Sequence, residues 1–364
     1  VLRLSIVVPT FNERSNVREL LARVERALGD ASWEMVFVDD DSPDGTAAFV
    51  REIARRDGRV RVLQRVGRRG LASACIEGML ASAAPVVAVM DADLQHDETR
   101  LPVMLEAIER EGADIAVGTR YAHGGGVGEW DRRRAGMSRL ATVLGRLVLR
   151  RQQVSDPMSG FFMMRRAVLD DTVRDLSAIG FKILLDVLAT SPRPLRVAEV
   201  PYTFRTRHSG ESKMDGTALW DFAALLADKM VGRYVPVRFV MFGAVGLLGV
   251  VVHMAVLSLL LQTAGLSFVT SQTTATMSAM VFNFAVNNLM TYRDQRLRGR
   301  RWWLGLLSFV LACSVGAAAN VGVASYLFMA DTQWALAALA GVAVSAVWNY
   351  AVTRIYTWGL PTRG

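Results

Sequence analysis

Beyond Tyr234 the chain has no lysine at all, and its only carboxylates are Asp294 and Asp331. A segment so poor in charge and so rich in Ala, Val and Leu reads as membrane material, which divides the 364 residues into a polar part and an apolar one. Cysteine is equally scarce. Cys75 and Cys313 fall in different parts, and neither has C-x-x-C or metal-ligand spacing, so a disulfide framework and a thiolate metal site are both excluded. No G-x-G-x-x-G follows the first strand and no G-x-x-x-x-G-K-[ST] occurs anywhere, which leaves dinucleotide redox and P-loop chemistry without a motif. The opening stretch Leu2 to Val8 is short and runs into Pro9 and Asn12, unlike a signal peptide.

A net charge of +8 and a pI near 10 would suit a nucleic-acid binder. Much of the arginine, however, lies in or beside the apolar segments and in the run Arg132 to Arg134. Anionic membrane lipid and sugar-nucleotide phosphates are therefore the expected partners, with no nucleic acid. The Ala and Arg bias points to a prokaryotic cell membrane.

Strand, helix, strand alternation fills the polar part and predicts an α/β fold, a mainly parallel sheet with helices on both faces. LSIVVPT (4 to 10), WEMVFVD (33 to 39), 60 to 66, VVAVM (86 to 90), DIAVGT (114 to 119), 161 to 164 and 197 to 204 read as strands. The second strand ends in Asp39-Asp40-Asp41, three carboxylates that repel one another and call for donors such as a base N–H, a ribose hydroxyl or helix N–H groups. Asp39, at the tip, is the expected ligand contact, and Ser42 and Asp44 the expected caps of the next helix. The fourth strand ends in Asp91-Ala92-Asp93 with Gln95 two residues on. Continued alternation would turn Asp91 and Asp93 to one side and Ala92 away, and two carboxylates with a neutral oxygen can share one divalent cation whose open positions take substrate phosphates. The alternative is that one of these aspartates only caps the helix starting near Glu98. Arg68 and Arg69 follow the third strand and either approach phosphate or lie in a solvated loop. The fifth strand delivers Arg120 to the same edge, where open α/β sheets bind ligands. A basic amphipathic helix over about 135 to 151 lies either in a membrane interface or against the sheet, and a second, 216 to 234 with Trp220, Phe222 and Lys229, is placed to rest on lipid before the first span.

Four apolar stretches, about 237 to 261, 267 to 290, 303 to 328 and 333 to 357, are each long enough to cross a bilayer. The link between the second and third carries Arg293, Arg296, Arg298, Arg300 and Arg301, whereas those near Thr263 and Asp331 carry no basic residue. The positive-inside rule then puts that link, both ends of the membrane part (235 to 358) and the polar domain (1 to 215) in the cytoplasm. Phe282-Asn283-Phe284-Ala285-Val286 is echoed by Trp348-Asn349-Tyr350-Ala351-Val352, and Gly249 and His253 by Gly316 and Asn320, the mark of two related hairpins. Asn283, Asn287, His253, Asn320 and Asn349 lie inside spans and should find interhelical hydrogen bonds.

The motifs VVPTFNE (7 to 13), VDDDSPDGT (38 to 46), MDADLQH (90 to 96), GTRY with GGGV (118 to 127), DPMSGF (156 to 161) and FRTRHSGESK (204 to 213) resemble, in order and spacing, those of the dolichol-phosphate mannose synthases, inverting family-2 glycosyltransferases of GT-A fold. The four-span tail resembles a GtrA-like transmembrane domain. The resemblance implies transfer of mannose from GDP-mannose to dolichyl or polyprenyl phosphate on the cytoplasmic leaflet. It implies that Pro9, Phe11, Glu13, Val38, Asp39, Asp40 and Ala92 hold the nucleotide with Arg207 and Lys213 from a closing loop. By the same resemblance Asp91, Asp93 and Gln95 hold Mg²⁺ or Mn²⁺, and Arg120, Arg134 and Ser138 receive the lipid phosphate. Phe11 stands where Tyr is frequent, and Met158 where Thr is common. A UDP-glucose-dependent enzyme on the same lipid is the nearest alternative, and a flippase or binding module for the lipid-linked sugar another. A processive polysaccharide synthase lacks its Q-x-x-R-W here.

Overall fold

Along the first strand, β1 (Leu4–Thr10), Leu4, Ile6 and Val8 enter one core and Val7 the other, all fully buried. β2 (Trp33–Asp39) repeats the pattern with Met35 and Phe37 against Val36 and Val38. Strands that are apolar on both faces must be covered on both, and the helices divide accordingly. α1 (Arg14–Leu28), α2 (Thr46–Ala54) and α4 (Leu101–Glu109) pack Val17, Leu20, Val24, Val50, Met104 and Ile108 on one side. α3 (Leu71–Ala81), α5 (Arg166–Thr172) and α6 (Ile183–Thr190) pack Cys75, Met79, Leu169, Leu184 and Leu188 on the other.

This computed structural model describes residues 1–126, 141–146, 148–149, 152–177, 180–205, 217–232, 234–263 and 266–359. It falls into two units, Val1–Met230 and Val231–Gly364. The first holds a seven-stranded sheet of order β3-β2-β1-β4-β6-β5-β7, where β3 is Val60–Gln64, β4 Val86–Val89, β5 Ile115–Thr119, β6 Phe162–Arg165 and β7 Val197–Pro201. All neighbours are parallel except β6, which runs antiparallel to both β4 and β5. Because β6 is reversed, the turn 156–161 that precedes it lands at the edge where β4 and β5 end. A purely parallel sheet would carry that turn to the opposite edge.

The two expected interface helices look inward where they are described. Residues 141–146 are helical, Ala141 and Leu144 pack on the core beneath α3, and Leu149 is buried there. In α7 (Thr217–Val231), Phe222 and Leu225 are buried in the same core. Lys229 is spent on Asp186 at 2.6 Å, with both side chains buried, and also donates to Thr190 at 2.8 Å. Phe222 and Lys229 therefore serve the first unit rather than lipid, while Leu219 and Met230 stay exposed.

The second unit is helical: α8 (Val237–Thr263), α9 (Phe268–Val286), α10 (Arg300–Met329) and α11 (Trp334–Val352). All four predicted stretches are helices, but among the described residues two, α8 and α10, are long and apolar enough to span a bilayer. Leu247, Val251, Leu304, Leu307 and Leu311 are more than half exposed, an apolar surface that suits lipid. The sequence repeat is a structural one. Asn283 of α9 lies on Gly249 of α8 and Asn349 of α11 on Gly316 of α10, so close that a Cβ would meet the amide oxygen at 2.2 Å and 2.1 Å. Both second helices end in a widened π turn, Asn287–Thr291 and Thr353–Thr357, and the next residues, Tyr292 and Trp358, stack at 4.1 Å between ring centres.

The amide oxygens of three of these asparagines do not make the expected interhelical hydrogen bonds. Among the described residues, the amide oxygens of Asn283, Asn287 and Asn349 accept none, and Asn287 donates back to the Asn283 carbonyl of its own helix. The amide lies against glycine in each repeat because close helix approach brings it to bare backbone. The polar links come from elsewhere: Asn288 to Leu297 and Trp358, Trp348 to the Ala312 carbonyl, and Ser308 to Thr357.

Candidate active site

Four parallel strands, β3, β2, β1 and β4, end side by side, and the polar residues gather at those ends. Among the described residues, three of the four non-glycine residues with left-handed backbone lie here: Asn12 (φ 59°) after β1, Asp41 (φ 58°) after β2 and Leu94 (φ 63°) after β4. Such conformations are costly and mark sites where geometry serves function.

β4 stops at Val89, so the D-x-D segment is a turn and not an extension of the strand. Asp91 keeps about a third of its side chain exposed, Asp93 is nearly buried, and Ala92 enters the core. Neither aspartate caps the following helix. That task falls to Asp97, which accepts from the Thr99 N–H, while Asp93 accepts from the Gln95 N–H at 3.1 Å. Gln95 donates its side-chain amide to the Arg205 carbonyl at 2.9 Å and accepts the Arg205 N–H at its own carbonyl. The Arg205 guanidinium then reaches Asp97 and Glu98 at 2.8 and 2.7 Å. Arg205 is thereby fixed to the D-x-D turn.

His96 was not among the expected site residues. Its Nδ1 accepts the Asp91 N–H at 3.1 Å, which leaves the ring proton on Nε2, 3.7 Å from the Asp91 carboxylate. Phe161 stacks on the ring at 5.1 Å, Tyr202 and Phe204 meet it edge-on, and burial holds its pKa down at about 4. A neutral imidazole of one tautomer results. Gly160 completes the seat, for a Cβ there would come within 3.2 Å of Asp91 Oδ2.

Arg120 is buried and forked onto Asp156, Nε to Oδ2 at 2.7 Å and Nη2 to Oδ1 at 2.9 Å. Its guanidinium also lies near the rings of Tyr121 and Phe204. Lys182 donates to the Met158 carbonyl at 3.1 Å and lies over the Phe181 ring at 4.6 Å. Burial, and then repulsion from Arg120, lower its pKa to about 8, while Asp156 and Asp91 work the other way. Asp156 lies in DPMSGF, a motif that assigns it no role by itself, and Lys182 belongs to no motif, its one sequence signal being that it is the first lysine of the chain.

The three aspartates after β2 each find donors within the fold. Asp39, fully buried, accepts from Thr10 Oγ1 and from the Ser42 N–H and hydroxyl. Asp40 accepts from Arg65 at 2.8 Å and the Gly70 N–H at 2.7 Å, and Asp41 from Gln64 at 2.8 Å. Burial pushes the Asp40 carboxyl up, against the Gly70 N–H and Arg65. The N-cap of α2 is Gly45 rather than Ser42 or Asp44; Asp44, one residue earlier, receives the Thr46 N–H, and Ser42 is bound to Asp39. Pro9 and Val38 are strand residues, Val38 wholly buried, and Glu13 accepts from Asn16 at 2.7 Å. Phe11 carries the Arg69 guanidinium 4.4 Å above its ring. Arg134, Ser138, Arg207 and Lys213 lie outside the described residues.

A divalent ion is the group this edge is asked to hold. Among the described residues, no three His, Cys, Asp or Glu side chains are grouped to cage a metal alone. Two carboxylates in one turn, with a Gln95 amide oriented by Arg205, fit an ion whose other positions are filled by phosphate oxygens.

Residues 5–173 match the model of glycosyl transferase family 2, and residues 241–358 that of the GtrA/DPMS transmembrane domain. The dolichol-phosphate mannosyltransferase of Pyrococcus furiosus is 35% identical over 358 residues, 98% of this chain and 99% of that protein. That of Saccharomyces cerevisiae is 33% identical over 247 residues, 65% of this chain and 91% of its own. The polyprenol monophosphomannose synthase of Mycolicibacterium smegmatis is 36% identical over 223 residues, 59% of this chain and 82% of its own.

Proposed function

The chain belongs to glycosyltransferase family 2, with a GtrA/DPMS transmembrane domain, and from that premise we propose that it transfers mannose from GDP-mannose to a dolichyl or polyprenyl phosphate with inversion at the anomeric carbon. The observation that carries this reading is likeness to one mannosyltransferase along both units, with 98% of this chain covered. An acceptor phosphate oxygen forms the new bond to the anomeric carbon as the bond to the diphosphate breaks. The acceptor is already anionic at neutral pH, so no side chain need remove a proton. Asp91, Asp93 and Gln95 would hold Mg²⁺ or Mn²⁺, which when bound offsets the charge of the departing diphosphate. Arg120, held by Asp156, supplies a fixed positive charge for the acceptor, with Lys182 beside it and Arg134 and Ser138 as further partners. Orientation of two charged substrates at one sheet edge supplies much of the remaining acceleration. Four spans, with the arginine-rich 293–301 link and the catalytic unit on the cytoplasmic side, complete the proposal.

The test is product formation from labelled sugar nucleotides with a short polyprenyl phosphate, with Mn²⁺, Mg²⁺ or EDTA. Transfer from GDP-mannose alone, lost in EDTA and regained with either ion, is the expected result. Transfer from UDP-glucose in its place overturns the donor.

His96 is a positioning residue in this scheme. His96→Phe keeps the ring among Phe161, Tyr202 and Phe204 but strands the Asp91 N–H, a loss of about 1–3 kcal/mol. Its expected signature is a several-fold rise in the Mn²⁺ concentration for half-maximal activity with the GDP-mannose KM little changed. A fall in thermal midpoint with an unaltered metal response would reduce His96 to packing.

A further inference from the structure

We propose that Arg69 reads the nucleobase of the donor, as a guanine-recognising fork stacked on Phe11. This rests on the GDP-mannose reading and adds the residue that enforces it. The sheet order β3-β2-β1-β4 puts the D-x-D turn at one end of a row and the 65–70 loop at the other. Neighbouring strands are about 4.8 Å apart, so the row spans about 14 Å. A diphosphate seated at Asp91 and Asp93 thus extends its nucleoside over β1 and β2 toward that loop.

The loop is rigidly mounted. Buried Arg65 donates to Asp40 at 2.8 Å and to the Gly70 carbonyl at 3.0 Å, its own N–H is taken by the Asp39 carbonyl, and the Gly70 N–H goes to Asp40. Asp40 therefore braces the loop from two directions. Of the two arginines that the loop presents, Arg68 is forked onto Glu77 with both bonds at 3.0 Å. Arg69 is exposed, and among the described residues it makes no hydrogen bond or ion pair, only the 4.4 Å stack over Phe11. A stacked guanidinium keeps its N–H groups in plane and pointing outward. Guanine offers adjacent O6 and N7 acceptors that match such a fork, adenine offers one acceptor beside a donor, and a pyrimidine offers no equivalent pair.

The experiment measures GDP, UDP and 7-deaza-GDP affinity for the full chain in detergent, for wild type, Arg69→Leu and Arg69→Lys, with the thermal midpoint as a check on folding. Wild type is expected to favour GDP over both others by about tenfold or more. Arg69→Leu should lose that factor for GDP, leave UDP within about twofold and erase the penalty for 7-deaza-GDP; Arg69→Lys should regain only part. An equal fall for GDP and UDP would make Arg69 a phosphate contact and overturn the inference. So would a GDP preference that survives in Arg69→Leu, which leaves the donor reading intact. A wild-type preference for UDP overturns the donor reading and this inference with it.

Discussion

Asp93→Ala is expected to lower sugar transfer by about a thousandfold or more while the chain stays folded and in the membrane. The size follows from what the carboxylate is for. In the proposed reaction a departing nucleoside diphosphate would gather charge at the D-x-D turn, where an ion held on Asp91, Asp93 and Gln95 would offset it. Part of the cost is structural, since Asp93 accepts the Gln95 N–H, a contact worth about 1 kcal/mol. Asp93→Asn keeps an oxygen for that N–H and removes only the charge, so it should be nearly as inactive and more stable than Asp93→Ala. Asp97→Ala is the contrasting case: it removes the cap of the next helical turn and a partner of Arg205, so it should lower stability and leave more activity than either. Steady-state transfer of labelled mannose, with Mn²⁺ affinity in the presence of GDP, checks all three. Activity of Asp93→Asn near the wild-type level would remove the metal assignment.

The parallel half of the sheet was legible because strands apolar on both faces, such as Ile6-Val7-Val8, leave no other fold open. The reversal of β6 was not. Phe161 to Met164 is as apolar as its neighbours, and direction is set by which edge its ends must reach, which depends on Asp156 meeting Arg120 and Gly160 meeting Asp91. The two D-x-D carboxylates are legible as a pair in sequence but not in geometry, since strand alternation ends at Val89 and the segment is a turn. Asp40 shows a further limit. Three aspartates at a strand tip announce a demand for donors, yet only the fold reveals that Arg65 and the Gly70 N–H satisfy Asp40 from within. In the membrane unit the repeat is readable residue by residue, but the close helix approach that sets the bare backbone of Gly249 and Gly316 against the Asn283 and Asn349 amides is not. Sequence names the residue types at an edge. Which of them face substrate, and which face one another, is decided by strand direction and helix separation.

Arg120 and Asp156 provide the sharpest separation of those two roles. Both side chains are buried, and two bonds at 2.7 and 2.9 Å join them. Removing Asp156 alone leaves a buried guanidinium without its counter-ion, so Asp156→Ala should destabilise the first unit by about 3–5 kcal/mol. Turnover should fall with it, because Arg120 is then free to turn away from the acceptor. The pair is not itself expected to be a net source of stability, since two charges taken from water lose about as much as their attraction returns. Hence Arg120→Met combined with Asp156→Ala should recover most of the lost midpoint in chemical denaturation of the first unit's transition. Activity should not return, for the double variant has no cation at that place. If Arg120 were only structural, stability and activity would recover together, and the acceptor phosphate would have to be held by other cations. The predicted split, stability restored and transfer still absent with the acceptor KM raised, would mark Arg120 as a contact for substrate and Asp156 as the residue that aims it.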